Sequence, residues 1–300
     1  MCIRDRLLPP LAVIFAALLW SLDGLLRQEL YSISSLLVVA LEHSIGALLF
    51  LPFLIKEKEK VKQLKQTGWV SIAWISICGG ILGTFFYTKA LSYINYIDLS
   101  VVVLIQKLQP LFAIALASLI LKEKLSSRFI ILAIIAMVGG YLVTFGTTSY
   151  SNWDDKTLIA ALLALLAAFC WGSSTVLGKH ALNNLPLTVV TALRLSLTAV
   201  GAFMIFGMTS NNIIFELTVS QWKILITIVF STGALALLIY YYGLKYLPAS
   251  HTTIYELAWP LSAVFLDWSI NGQVFTFTQF FGAIILLASM LILSRTSKNG

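Results

Sequence analysis

The sequence predicts an all-α membrane protein of ten transmembrane helices, arranged as two inverted five-helix repeats. Three observations lead there. The 300 residues are 59% hydrophobic and 11% charged, against about 45–50% and about 25% in soluble domains. Apolar runs of about 20 residues recur along the chain, each long enough to cross a hydrocarbon layer about 30 Å thick. The second half also repeats the first at a shift of about 150 residues.

The elements follow in chain order. A first span is predicted at 8–27, with Asp23 near its end. No cleavage site is evident after it and more spans follow, so it reads as a span rather than a leader. The opening MCIRDR carries no function in this reading. The second span, 34–55, holds Glu42 and His43. The run KEKEKVKQLKQ (Lys56–Gln66) reads as a solvated loop near lipid headgroups. The third span, 68–89, contains GGILG (Gly79–Gly83). That pattern allows close helix packing, and no strand–helix unit supports a phosphate loop.

The fourth span, 97–121, contains VVVLIQKLQPLFAIALASLI, with Gln106, Lys107, Gln109 and Pro110 in its middle. A fifth span covers 128–146. Beyond the polar SYSNWDDK (Ser149–Lys156) lie spans at 157–178, 186–208 and 221–243, the second of these carrying Arg194. The ninth, 248–269, holds His251, Tyr255, Glu256, Trp259 and Pro260. SINGQ (Ser269–Gln273) leads into the tenth, 276–294.

Placing the N-terminus in the cytoplasm leaves only Arg27, Lys89, Lys156 and Lys223 on the far side, with Lys107 and Arg194 inside spans. The other lysines and arginines gather on the cytoplasmic side, so both termini are expected there. The net charge of +7 is therefore distributed as loop charge, which argues against nucleic-acid binding. Cys2, Cys78 and Cys170 form no CxxC pair. Neither a disulfide framework nor a metal site is expected, and no cofactor.

The internal match is specific in places. ALLWSLDGLL (Ala17–Leu26) falls on AFCWGSSTVL (Ala168–Leu177), aligning Trp20 with Trp171. Glu42 falls on Arg194, Gln106 on Glu256 and Pro110 on Pro260. Residues 1–148 and 149–300 then form two five-span repeats. An odd number of spans inverts the second, an organisation on which many secondary transporters are built.

The motifs LLWSLDGLL and CWGSSTVLGK, FFYTKALSYI and YYYGLKYLPAS, and QKLQPLFAIALASLILKEKLS and ELAWPLSAVFLDW stand in matched order in the two halves. As an ordered set the chain resembles the drug/metabolite transporter superfamily, EamA-type, over nearly its whole length. It departs from the family's usual Gly-Glu after the fourth span, with Lys122-Glu123 and Gly272-Gln273. The resemblance implies export or exchange of small metabolites, often amino acids, commonly coupled to protons.

The intramembrane polar residues are the candidate path. A lysine at a helix centre costs about 2.5–3.5 kcal/mol to insert, and such residues face the bundle interior and mark pathways. Gln106, Gln109, Pro110, Ala113 and Ala117 share one helix face, and Glu256, Trp259, Pro260, Ala263 and Asp267 repeat that spacing. Each proline removes the hydrogen bond to the carbonyl four residues earlier, here Gln106 and Glu256. Two broken helices are expected, each offering a freed backbone oxygen; an ordinary proline kink is the plainer reading. Asp23, Glu42 and Glu256 against Lys107 and Arg194 give a near-balanced interior. Either a structural ion-pair network or a path for a charged or zwitterionic substrate accounts for it. His43 and His251 are candidates for proton handling, or else cavity-wall residues. Tyr255 and Trp259 flank Glu256 and join the candidate path. Tyr240, Tyr241 and Tyr242 read as part of an interfacial aromatic belt.

The expected function is secondary active transport, outward or by exchange, of a small polar metabolite around a midplane cavity. An importer or an uncoupled channel is the alternative. An intramembrane enzyme is disfavoured, since HExxH and GxSxG motifs are absent. The expected partners are a small-molecule substrate, membrane lipid and protons. The expected location is a bacterial cytoplasmic membrane, as a monomer or weak homodimer.

Overall fold

The structure is a computed structural model that describes residues 3–27, 30, 32–91, 105, 106, 108–145, 155–209, 217–271 and 276–296. Among these residues the chain is helical, with no strand. The first half contains α1 (Ile3–Arg27), α2 (Ser35–Lys56), the short α3 (Lys58–Lys62), α4 (Gln66–Trp74), a π-helical segment (Ile75–Leu82) and α5 (Gly83–Leu91). It closes with α6 (Gln109–Ile120) and α7 (Ser127–Phe145). The second half contains α8 (Asp155–Asn184), α9 (Leu187–Thr209), α10 (Val219–Phe230), α11 (Ala234–Tyr246), α12 (Ala249–Tyr255), α13 (Ala258–Asn271) and α14 (Phe277–Thr296).

Among the described residues, six stretches are long and apolar enough to cross a membrane: Ser35–Lys56, Gln66–Ala90, Leu158–Asn184, Leu187–Thr209, Val219–Tyr246 and Phe277–Ser294. Shorter apolar helices cover Leu7–Asp23, Gln109–Ile120 and Ser127–Val143. Leu48, Ile55, Leu119, Val200, Met204 and Phe277 are among many large apolar side chains facing outward. That much exposed apolar surface is the lipid-facing coat of a membrane protein.

The helices pair closely. The broadest contacts are α2 with α9, α7 with α14, α1 with α11, α5 with α8, and α6 with α8. Small residues set the α7–α14 distance. A Cβ added to Gly139 would lie 2.8 Å from the Leu286 nitrogen, and one on Gly282 would lie 2.7 Å from the Val143 nitrogen. In lipid there is no hydrophobic drive between helices, so this close backbone approach supplies the van der Waals contact that holds them.

Three departures from regular helix matter. The third span is π-helical over Ile75–Leu82, where the Thr198 hydroxyl of α9 donates to the Ser76 carbonyl at 3.1 Å. The π segment holds most of the GGILG run, and these glycines lie against Ser174, Thr198 and Trp171. The eighth span, expected to be continuous, breaks at Ser231–Gly233 between α10 and α11. The ninth breaks at Glu256–Leu257 between α12 and α13.

Pro110 and Pro260 both stand in the first turn of a new helix, α6 and α13. A proline there costs little, because the first-turn N–H groups have no intrahelical partner anyway. The Glu256 carbonyl is not left open: the Trp259 N–H donates to it at 3.0 Å in a tight turn. The expectation of a freed Glu256 backbone oxygen is thereby corrected.

One linker is tied across the halves. Lys122 takes a left-handed backbone, φ 55°. Next to it the Glu123 carboxylate accepts from the Ala249 nitrogen at 2.7 Å, the Ser250 nitrogen at 3.1 Å and the Ser250 hydroxyl at 2.5 Å. Glu123 thus caps the start of α12 with charge-assisted bonds.

Candidate functional site

The break between α12 and α13 delivers Glu256 into the bundle, where side chains of three helices meet it. From α6, Gln109 Nε2 donates to Glu256 Oε2 at 2.6 Å. From α11, the Tyr240 hydroxyl donates to Oε1 at 2.6 Å. From α8, Thr175 Oγ1 lies 3.4 Å from Oε1 and 2.8 Å from the Tyr240 oxygen. Tyr240 has one proton and gives it to Glu256, so Thr175 is the donor in that second contact. Gln106, also buried, donates to Gln109 Oε1 at 3.2 Å and so orients its amide. The Trp20 ring of α1 lies against Tyr240, centroids 5.1 Å apart.

The polar layer continues past Tyr240. The next residue, Tyr241, accepts a hydrogen bond from Arg194 Nη1 of α9 at 2.9 Å. The Arg194 guanidinium carbon lies 5.7 Å from the centre of the Tyr241 ring, within cation–π range. Arg194 Nε is buried and has no hydrogen-bond partner among the described residues. Gly79 faces this group so closely that a Cβ there would lie 2.8 Å from Ser174 Oγ and 3.0 Å from Arg194 Nη2. Tyr240, Thr175, Glu256, Gln109 and Gln106 thus form one hydrogen-bonded group, and the Arg194–Tyr241 pair adjoins it through the Tyr240 and Tyr241 rings, whose centroids lie 5.9 Å apart.

A second cluster joins α1, α2 and the α10–α11 break. Arg27 Nε is bonded to Asp23, one turn back on α1, and Arg27 Nη2 donates to Glu42 Oε2 at 2.7 Å. Thr232 Oγ1 donates to Asp23 Oδ1 at 2.6 Å. A Cβ on Gly233 would stand 2.8 Å from Glu42 Oε1, so the break brings backbone against the buried carboxylate. One guanidinium bridging two carboxylates satisfies groups that hydrocarbon would otherwise penalise.

The remaining candidates are dispersed. His43 Nδ1 donates to the Val39 carbonyl of its own helix at 2.8 Å. His251 stacks on Phe129 with centroids 4.6 Å apart, beside the Glu123 cap and apart from the Glu256 donors. Tyr255 is 1% exposed, its hydroxyl without a hydrogen-bond partner among the described residues. Trp259 is half-buried and packs against the main core. Pro110 and Pro260 are buried. Lys107 lies outside the described residues.

Several site residues were not anticipated. Arg27 read as a flanking charge, yet it binds both Asp23 and Glu42; its i, i+4 spacing from Asp23 was the available signal. Tyr240 and Tyr241, read as an interfacial belt, are 4% and 0% exposed and sit in the polar layer. Three successive tyrosines span most of a helix circumference, so they cannot share one lipid-facing stripe. A cavity of about 300 Å³ is lined by Ser34, Ser35, Val39, Phe85, Thr88 and Lys89 among others, between the start of α2 and the end of α5. None of its lining residues belongs to the Glu256 layer.

Comparison with known proteins adds the following. The model of the EamA-like transporter family matches residues 7–145 and again 158–295. Riboflavin transporter ImpX of Fusobacterium nucleatum is 38% identical over 290 residues, which cover 95% of this chain and 97% of that protein. A riboflavin transporter of Brucella anthropi is 21% identical over 273 residues, 89% of this chain and 90% of that one. A solved crystal structure superimposes with a TM-score of 0.76 at 18% identity, covering 97% of this chain and 99% of its own. At that identity the last likeness is one of fold alone.

Proposed function

The chain belongs to the EamA-like transporter family, and on that premise we propose that it carries riboflavin, or a closely related flat heteroaromatic metabolite, across a bacterial cytoplasmic membrane by alternating access. Family membership makes it an integral membrane transporter of small metabolites rather than an enzyme. The observation that carries the finer reading is the 38% identity to a riboflavin transporter, running almost end to end in both chains. The amino-acid example has no counterpart among the named substrates of these relatives.

The polar layer supports the reading chemically. A flat ring edged with carbonyl and N–H groups needs aromatic faces to lie on and a few oriented donors and acceptors. Trp20, Tyr240 and Tyr241 are the rings of this layer, the two tyrosines covered in the present conformation and reached by a substrate when the helices part, while Gln109, Thr175 and Glu256 supply polar atoms.

Ten spans in two inverted repeats, 1–148 and 149–300, with both termini cytoplasmic, belong to the same proposal. The double match of the family model supports it. So does the helix pairing: α1 packs on α11 and α13 as α8 packs on α5 and α6. Substrate movement is coupled to protons through Glu256 or Glu42, and its direction follows the gradient. The test is flux of radiolabelled riboflavin into proteoliposomes with and without an imposed pH gradient. Saturable flux that the gradient accelerates is expected. Flux indistinguishable from empty liposomes overturns the substrate assignment.

A further inference from the structure

Among the described residues Arg194 makes no ion pair, although it lies within a membrane-spanning helix, α9. Arg27 shows how this protein treats a guanidinium that serves structure: it is bound by two carboxylates. Among the described residues Arg194 has one hydrogen bond, from Nη1 to the Tyr241 hydroxyl, and its buried Nε has no partner. Leaving an ionised donor unsatisfied in a low-dielectric interior is costly, so its retention argues for an acceptor that arrives with a ligand.

The geometry favours a particular kind of acceptor. With Nη1 held by Tyr241, the other edge of the guanidinium presents Nε and Nη2 as a planar two-pronged donor. The Tyr241 ring lies beside it, and the Tyr240 ring follows with centroids 5.9 Å apart. At the far end of the pair stands the Glu256 carboxylate, an acceptor. In this conformation the two rings are covered, so a molecule reaches the donor fork at one end and the carboxylate at the other when the helices part in the alternating-access cycle.

We propose that Arg194 is a specificity-determining residue whose Nε–Nη2 edge receives the carbonyl-rich edge of a planar heteroaromatic substrate, while Glu256 receives donor groups from the substrate's hydroxylated tail. This rests on the transport of a flavin-like molecule proposed above. It adds a polarity to the site: ring carbonyls toward α9, hydroxyls toward α12. A tail bearing phosphate in place of hydroxyl meets Glu256 as a like charge and is excluded.

The experiment measures riboflavin flux in proteoliposomes for wild type, Arg194→Gln and Arg194→Lys. Competition by lumichrome (the ring without its tail) and by flavin mononucleotide is measured alongside. In wild type, lumichrome competes and flavin mononucleotide does not. Arg194→Gln raises KM by about 10- to 100-fold, the size of a lost charged hydrogen bond, and weakens lumichrome competition equally. Arg194→Lys keeps the charge, and with it folded yield, but lacks the planar fork and restores KM only in part. An unchanged KM and lumichrome competition in either variant overturns the Arg194 role while leaving riboflavin transport standing. Equal competition by flavin mononucleotide overturns the Glu256 end. Absence of riboflavin flux in wild type removes the functional reading and this assignment together.

Discussion

Tyr240 and Tyr241, neighbours on α11, hold opposite charges: the first donates to Glu256 at 2.6 Å and the second accepts from Arg194 at 2.9 Å. Successive residues on a helix point about 100° apart, so less than a third of a turn of α11 separates an anionic side of the bundle from a cationic one. Tyr240→Phe keeps the ring against Trp20 and removes only the donor. Such a loss costs about 1.5–3 kcal/mol. Thermal unfolding in detergent is expected to fall by a few degrees, and riboflavin flux by about tenfold or more. Wild-type values in both would show that the hydroxyl is idle.

Removing the charge of Glu42 separates coupling from binding, whereas Glu256 also touches the substrate. Glu42→Gln is expected to lose gradient-driven accumulation while keeping substrate-protected thermal stability, and Glu256→Gln is expected to weaken both. Full accumulation in both variants rules out these carboxylates as proton carriers.

Arg27→Met strands two carboxylates, one of them buried. Breaking a buried pair by removing one partner costs about 3–5 kcal/mol. Unfolding temperature should drop sharply, and Arg27→Met combined with Glu42→Gln and Asp23→Asn should recover most of it. A triple variant no better than the single one would mean that Arg27 acts by packing its stem.

Gly282→Val puts side-chain atoms where the backbone of α7 already lies. Overpacking of this kind costs about 1–3 kcal/mol. Folded yield should fall, whereas Gly207→Val, at a position with open space around it, should be silent.

The orientation has a direct check. In a background lacking native cysteines, single cysteines at Lys60 and Asn152 should react with an impermeant maleimide from opposite sides of the membrane. Labelling of both from one face sinks the span count or the orientation.

The all-helical membrane fold could be read without coordinates, because span length and hydropathy are local properties. The break beside Glu256 was legible too, since Pro260 marks it, and the spacing of Gln106, Gln109 and Pro110 placed them on one face. What escaped depends on partners far away in the chain. The π segment is tied to Thr198 of α9, and the α10–α11 break, which has no proline, is held by Thr232 on Asp23 of α1. Tyr240 and Tyr241 are interior residues because α1 and α9 cover them. A tyrosine in an apolar run has no local mark that distinguishes a buried position from a headgroup position.

The Glu123 cap has a mechanical consequence. Its carboxylate takes donors from two consecutive residues at once. The α6–α7 linker cannot slide along α12 by a fraction of a turn without breaking all of them together. The three bonds therefore hold or fail as a unit, and this corner resists small displacements more than any one of the bonds would alone.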